Sequence, residues 1–276
     1  MDLEDHSRPL PSRYLVRELD RNPSETPPLR CAVIGAGRLG HALAAALRDA
    51  GLTVDGPLGR GADPLADVVL LTVPDGQIRA AAAVLTPGRA RFVGHCSGAT
   101  TLEPLAGREA LSLHPLMTVP AGQADPPARP AHAPRTGTTL FAGAGAAIAG
   151  STPDALHVAG TLAGLLRLRA VEVADEDRAA YHAAASIAAN FLVTLEGAAE
   201  RLAATAGVPR ELLVPLARAA LENWAEQGAE QALTGPVARG DEATIARQRA
   251  AIEERAPDLL ETFDALVAAS RVVLAT

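Results

Sequence analysis

The sequence predicts an α/β domain with a mostly parallel sheet, followed by an all-α domain. Between residues 30 and 174, short apolar runs alternate with helical segments, which is typical of parallel strands joined by helices. From residue 175 to residue 276 the apolar periodicity is helical throughout. Residues 1–29 mix charges with prolines, so we expect a flexible arm before the first strand.

The individual elements follow from apolar periodicity and from Gly, Pro and Asp at the boundaries. Strands are expected at residues 30–34, 52–54, 67–73, 91–94, 110–113, 144–149 and 170–173. Helices are expected at residues 41–49, 75–85, 153–166, 175–206, 209–230, 241–253 and 257–274, with a short one near Leu102. Residues 120–137 are rich in Pro, Ala and Gly, which predicts a mobile loop.

Composition argues against several function classes. The net charge is −7 with no basic stripe, so a nucleic-acid partner is not expected. No run of about 18 apolar residues occurs, so no membrane span is expected. Cys31 and Cys96 are far apart, and the N-terminus lacks an apolar signal core, which together predict a cytoplasmic protein without disulfides. All 25 of the Lys and Arg positions are Arg, so no Lys can act as an acid in this chain. We also expect no metal site.

A glycine motif follows the first predicted strand and opens a helix. In the motif Gly35-x-Gly37-x-x-Gly40, the first Gly permits a tight turn, the second lets the backbone approach a pyrophosphate, and the third permits close packing. The helix N-terminus offers free N–H groups to the phosphates. We therefore predict a Rossmann domain with a dinucleotide on residues 35–40, including Ala36, Arg38 and Leu39. The alternative is a glycine turn that binds nothing.

The choice of dinucleotide depends on residues near the end of the second strand. Asp55 lies 20 residues after Gly35, the spacing of an acid that binds the ribose 2'-hydroxyl of NAD. Arg60 follows Gly59 and suits the 2'-phosphate of NADP, with Arg38 as an additional cation. We expect NADP(H), with NAD(H) less favoured. The alternative for Arg60 is a solvated loop charge.

Further candidate residues follow the later strands. Val73-Pro74 ends a central strand at the edge where ligands of open α/β sheets collect, and Asp75 is expected to cap the next helix. Gln77 faces either cofactor or solvent. Ser97 is a candidate to hydrogen-bond a substrate carboxylate or carbonyl, whereas His95 is expected to be structural.

His114 is expected directly after a strand, next to Pro115. Because imidazole titrates near neutral pH, His114 is a candidate proton donor to a developing alkoxide. The alternative is a histidine that fixes a turn.

Two features of the helical region carry polar residues in an apolar setting. His182, Ser186 and Asn190 are spaced i, i+4, i+8 and are expected on nearly one face of a long helix, as catalytic residues or as partners in helix–helix hydrogen bonds. A loop around Thr234 leads to Arg239, which could bind a substrate carboxylate or pair with Asp241 or Glu242. Asp241 is expected to be a helix N-cap.

The order of these motifs resembles a bacterial family of Rossmann-like oxidoreductases with a C-terminal helical domain of unassigned function. That family is similar in architecture to ketopantoate reductase, pyrroline-5-carboxylate reductase and the 6-phosphogluconate dehydrogenase-like β-hydroxyacid dehydrogenases. The resemblance covers about residues 30–270. It is carried by the glycine motif, Val73-Pro74-Asp75, His95-x-Ser97-Gly98, His114-Pro115, Tyr181-His182 with Asn190, and Leu233-Thr234-Gly235-Pro236 before Arg239-Gly240-Asp241.

The resemblance implies an NADP(H)-dependent reductase of a small carboxylated ketone, with 2-dehydropantoate (ketopantoate) as the first expected substrate, and a homodimer. β-Hydroxyacid dehydrogenases place a Lys four residues before the Asn that Asn190 matches, whereas Ser186 stands there in this chain. The proton would then come from His182 or His114. Imine reduction of the pyrroline-5-carboxylate type and a non-catalytic dinucleotide sensor remain as alternatives.

Overall fold

The computed structural model describes residues 29–119 and 140–275, which form two compact units. One unit contains the described residues up to Ser97 and those from Leu102 to Val171. The other contains Gly98–Thr101 and the described residues from Glu172 onward. The predicted arm, apart from Leu29, and the predicted loop over 120–137 lie outside the described residues.

The first unit is built on one seven-stranded sheet. Its strands are β1 (Arg30–Ile34), β2 (Thr53–Leu58), β3 (Ala66–Leu71), β4 (Ala90–His95), β5 (Glu109–Leu116), β6 (Gly145–Gly150) and β7 (Arg169–Glu172). They lie in the order β2-β1-β3-β4-β5-β6-β7. The pairs from β2 to β5 are parallel, and β6 runs antiparallel to β5. The predicted mostly parallel sheet is confirmed.

Helices cover both faces of this sheet. They are α1 (Arg38–Asp49), α2 (Ile78–Val84) and α3 (Pro153–Leu165), with short 3₁₀ turns at Asp75–Gln77 and Glu103–Leu105. Alternate residues of β1 enter different cores: Cys31 and Val33 pack with residues of α1 and α3, whereas Ala32 and Ile34 pack with residues of α2. Because successive side chains of a strand point to opposite faces, a strand covered on both sides must be apolar throughout.

The second unit consists of helices. They are α4 (Arg178–Ser186), α5 (Leu192–Ala204), α6 (Arg210–Gln227), α7 (Ala229–Ala232), α8 (Glu242–Arg255) and α9 (Leu260–Val273), with a π-helical segment at Ile187–Phe191 and 3₁₀ turns at Asp175–Asp177 and Pro257–Leu259. The predicted all-α region is confirmed. No helix within residues 29–119 and 140–275 has the length and apolar character needed to cross a membrane.

Three predictions of local structure are wrong. β5 does not end before His114 but continues to Leu116, because antiparallel β6 pairs with residues 111–116. The helix predicted over 175–206 changes from α to π geometry at Ile187 and returns to α at Leu192. Asp75 makes no side-chain cap hydrogen bond in the turn that precedes α2.

Candidate functional site

The glycine turn between β1 and α1 uses each of its glycines differently. Gly35 has φ of +119°, and a Cβ there would lie 2.5 Å from the Thr72 carbonyl oxygen. A Cβ on Gly40 would lie 1.8 Å from the Gly35 carbonyl oxygen. At Gly37, the N-cap of α1, a Cβ would meet no atom within 4 Å. Two glycines thus permit the turn to close, and the third leaves the N-terminus of α1 accessible.

Thr72, which the sequence interpretation missed, holds this turn in place. Its hydroxyl lies 3.1 Å from the Ile34 carbonyl oxygen and 2.9 Å from that of Gly35, so it can donate to either. Its backbone N–H donates to the Ile34 carbonyl at 2.8 Å. Because Thr72 directly follows β3, it joins the ends of the two central strands at the turn.

A cleft of about 510 Å³ opens beside the turn. It lies past the carboxyl ends of β1, β2 and β3. The chain adds β2 on one side of β1 and β3 on the other, so the direction in which strands are added reverses at β1. Ligands of open α/β sheets bind at such a point. The cleft is lined by Gly35, Ala36, Gly37, Leu58, Gly59, Arg60, Thr72, Val73, Pro74 and Gln77.

This lining includes six of the residues predicted to bind the cofactor: Gly35, Ala36, Gly37, Arg60, Val73 and Pro74. Arg38, Leu39 and Gly40 do not line it. Arg38 instead donates to the Val119 carbonyl at 3.2 Å. Gly40 is buried under the turn, where it serves packing.

The two residues considered for the adenosine ribose have different surroundings. Asp55 pairs with Ala32 within the sheet, and its carboxylate accepts from Arg30 at 2.9 Å. It does not line the cleft. Arg60 lines the cleft and donates from Nη1 to the Gln77 side-chain oxygen. The cationic candidate is therefore at the cleft, and the acidic candidate is engaged in an ion pair elsewhere.

The end of β4 and the residues directly after it are buried. His95 is fully buried, and the Ser97 backbone N–H donates to His95 Nδ1 at 3.2 Å. Burial raises the pKa of the Cys96 thiol to about 12, and burial with the nearby Asp67 charge raises that of Cys31 to about 12. Both thiols are therefore neutral at physiological pH, and neither is a nucleophile.

The other predicted catalytic residues lie in several elements. His114 is half-buried inside β5, opposite Ala147 of β6, and not at a strand end. His182 and Ser186 are half-buried on α4, and Asn190 is exposed in the π segment. π turns occur frequently at functional sites. The catalytic roles of Ser97, His114, His182, Ser186 and Asn190 stay predictions.

The loop before α8 is fixed by a cap. Asp241 accepts from the Thr244 backbone N–H at 3.0 Å and from its hydroxyl at 2.7 Å, which confirms the predicted N-cap. These bonds lower the pKa of the Asp241 carboxyl. Arg239 and Thr234 are exposed, and Glu242 pairs with Arg271 at 2.7 Å. No group of three His, Cys, Asp or Glu side chains able to hold a metal ion occurs among the described residues.

Comparisons with known proteins agree with this architecture. Residues 145–270 match the model of a domain of unknown function (DUF2520). No functionally curated protein matches the chain in sequence. The match runs from β6 through most of the helical region, and the family description names no activity.

Among solved structures, a Bacteroides fragilis protein described as a candidate NADP oxidoreductase is similar over 88% of this chain and 98% of its own, at 17% identity and a TM-score of 0.72. A Thermotoga maritima protein is similar over 89% of this chain and 98% of its own, at 23% identity and a TM-score of 0.69. The 1-pyrroline-5-carboxylate reductase of Streptococcus pyogenes is similar over 90% of this chain and 99% of its own, at 12% identity and a TM-score of 0.56. These likenesses confirm the predicted fold, a Rossmann-like domain followed by a helical domain.

Proposed function

We propose that this protein is an NADP(H)-dependent reductase of a small carboxylated ketone. The observation that carries the proposal is the open cleft at the Gly37 end of α1, at the reversal of strand order. Free N–H groups and the positive end of a helix dipole are suited to a pyrophosphate. The cleft has room for the backbone contact because nothing lies within 4 Å of a Cβ built on Gly37.

NADP(H) is proposed over NAD(H) because of the charges near the cleft. A carboxylate that binds the ribose 2'-hydroxyl would repel a 2'-phosphate, whereas an Arg attracts it. Arg60 lines the cleft, and Asp55 is paired with Arg30 away from it. The same fold in a candidate NADP oxidoreductase and in reductases supports a nicotinamide cofactor.

When bound, the nicotinamide supplies a hydride to the carbonyl carbon, and the carbonyl oxygen then needs one proton. With no Lys in the chain, His114 and His182 are the proposed proton donors, since imidazole can hold a proton near neutral pH. Asn190, Ser97 and Ser186 are proposed to orient the carbonyl through hydrogen bonds. Arg239, with Thr234, is proposed to bind the substrate carboxylate.

Imine reduction is a second candidate, favoured by the absence of Lys. An iminium carbon accepts hydride without protonation by the enzyme, so a missing general acid has little consequence. The similar fold of the S. pyogenes pyrroline-5-carboxylate reductase supports this candidate.

The test is oxidation of NADPH in the presence of ketopantoate, with NADH and pyrroline-5-carboxylate in parallel. Turnover of ketopantoate to pantoate that falls at least about tenfold in Asn190→Ala and His114→Ala would support the ketone-reductase proposal and these roles. Turnover of the pyrroline alone would favour the imine candidate. Tight NADPH binding without turnover of either substrate would contradict both substrate assignments and favour a dinucleotide sensor or a different substrate.

We also propose that the helical unit associates with a second copy of the chain. Helices α5, α6 and α9 contain no buried residue. Ten large apolar side chains of this unit are 37–72% exposed, among them Phe191, Leu216 and Trp224. Its buried apolar side chains among the described residues are Ile245, Ile252 and Ala256.

A helix that fully buries none of its residues gains little stability from tertiary packing, and α6 also contains Pro215 in its interior. A partner that covers the exposed apolar side chains of such a helix would stabilise it. A second copy is always present at equal concentration, and large apolar interfaces are typical of obligate homodimers.

A further inference from the structure

We propose that Gln77 is a positioning residue that holds Arg60 ready for a phosphate monoester and thereby sets the preference for a 2'-phosphorylated dinucleotide. This inference rests on the proposed function, since it concerns the same cleft. It assigns a role to a neutral side chain that neither the glycine motif nor the predicted catalytic residues include.

Arg60 stands on a segment that cannot fix it alone. Its neighbours are Gly59 and Gly61, and a Cβ on either would meet nothing within 4 Å. The Ala62 backbone N–H donates to the Gly59 carbonyl at 3.0 Å, so Arg60 lies at the tip of a tight turn, and it is exposed. Ordering a long side chain on such a turn has an entropic cost when a ligand binds.

Gln77, in contrast, is held firmly. Its backbone N–H donates to the Pro74 carbonyl at 2.8 Å. The next residue, Ile78, is fully buried at the start of α2. The Gln77 side chain is half-buried and lines the same cleft as Arg60 and Gly37. Its backbone is therefore fixed in the 3₁₀ turn between β3 and α2, and its side chain offers an acceptor to an Arg on the turn after β2.

The hydrogen bond from Arg60 Nη1 to the Gln77 side-chain oxygen joins these two segments. A guanidinium has five N–H donors, so one can bind Gln77 while the others remain available to a phosphate. An amide oxygen is neutral, so Gln77 orients the guanidinium without cancelling its charge. A carboxylate at this position would form an ion pair with Arg60 and repel the phosphate.

The test measures the dissociation constants of NADPH and NADH for the full-length wild type and for Gln77→Met and Gln77→Glu. We expect Gln77→Met to raise the dissociation constant of NADPH about fivefold to tenfold and to leave that of NADH within about twofold of the wild type. Gln77→Glu should weaken the binding of NADPH further, and it should not weaken the binding of NADH. The dissociation constants of adenosine 2',5'-bisphosphate and AMP give the same comparison for ligands that lack the nicotinamide.

An Arg60→Ala background separates positioning from direct contact. If Gln77 acts through Arg60, Gln77→Met should cause no further loss of NADPH affinity in Arg60→Ala. An unchanged NADPH-to-NADH ratio in Gln77→Met and Gln77→Glu, or additive losses in the double variant, would overturn the inference. Absence of NADPH binding in the wild type would instead overturn the proposed function, so the two failures are distinguishable. Equal melting temperatures of the variants would show that the effect is not a loss of fold.

Discussion

At Gly37 the missing side chain leaves open space for a ligand, whereas at Gly35 and Gly40 it makes room for neighbouring backbone. This difference predicts different outcomes for substitutions within one motif. Ala at Gly35 or Gly40 would collide with the turn itself, so loss of binding there would not distinguish folding from ligand contact. Gly37 is the position where a methyl group disturbs the ligand and not the protein.

We expect Gly37→Ala to weaken NADPH binding roughly tenfold or more, because a Cβ would occupy the approach of the pyrophosphate to the N-terminus of α1. Gly164→Ala is the matched control: it also lies at the end of a helix, and its Cβ would also meet nothing within 4 Å. Titration of NADPH fluorescence gives both dissociation constants. Equal affinities in the two variants would argue against a dinucleotide at this turn.

The predicted cofactor residues that the structure brings together are those whose signal is local in sequence. Gly35, Gly37 and Arg60 lie within one strand–turn–helix–strand segment, and the structure brings them to one cleft. Thr72 was missed because its partners, the carbonyls of Ile34 and Gly35, are 38 and 37 residues away. A small polar residue directly after a buried central strand is the signal that could have identified it.

At the scale of the element, the start of α8 depends on one carboxylate. Bonds from the Thr244 hydroxyl and backbone N–H lower the pKa of Asp241. Since its folded-state pKa is below the usual value near 3.9, its contribution to stability is present above that value and is lost as the pH falls through the lowered pKa.

We expect Asp241→Ala to lower the melting temperature by a few degrees at pH 7, because the cap bond to the Thr244 N–H is lost. Asp241→Asn keeps an acceptor oxygen and should have a smaller effect. The difference between the wild type and Asp241→Asn should shrink as the pH falls below about 4. Calorimetry across this pH range measures both quantities. A difference that stays constant with pH would show that the charge contributes nothing.

Elements were predicted well where one short segment determines them. The bounds of β1 match the prediction, because an apolar run ends at a glycine turn that opens α1. The last three residues of β5 were missed because its pairing partner, β6, lies far along the chain, and Pro115 suggested an end. The π segment within the helix predicted over 175–206 has no distinctive apolar period, since its residues fit an α pattern equally well.

At the scale of the whole molecule, the helical unit differs from the sheet unit in how it is stabilised. The sheet unit has buried apolar cores on both faces. The helical unit leaves α5, α6 and α9 without a buried residue. If a second copy covers these helices, folding and association are coupled, and the melting temperature should rise with protein concentration.

We expect sedimentation to give twice the 28.3 kDa mass of one chain for the wild type. Leu216→Glu should shift the sedimentation mass towards that of the monomer and lower the melting temperature, because a charge would be placed in an apolar interface. Leu65→Glu is the matched control. Leu65 is 59% exposed and Leu216 is 69% exposed, but Leu65 lies on the sheet unit. A monomeric wild type with a concentration-independent melting temperature would contradict the proposed association. Equal effects of the two substitutions would place the interface elsewhere.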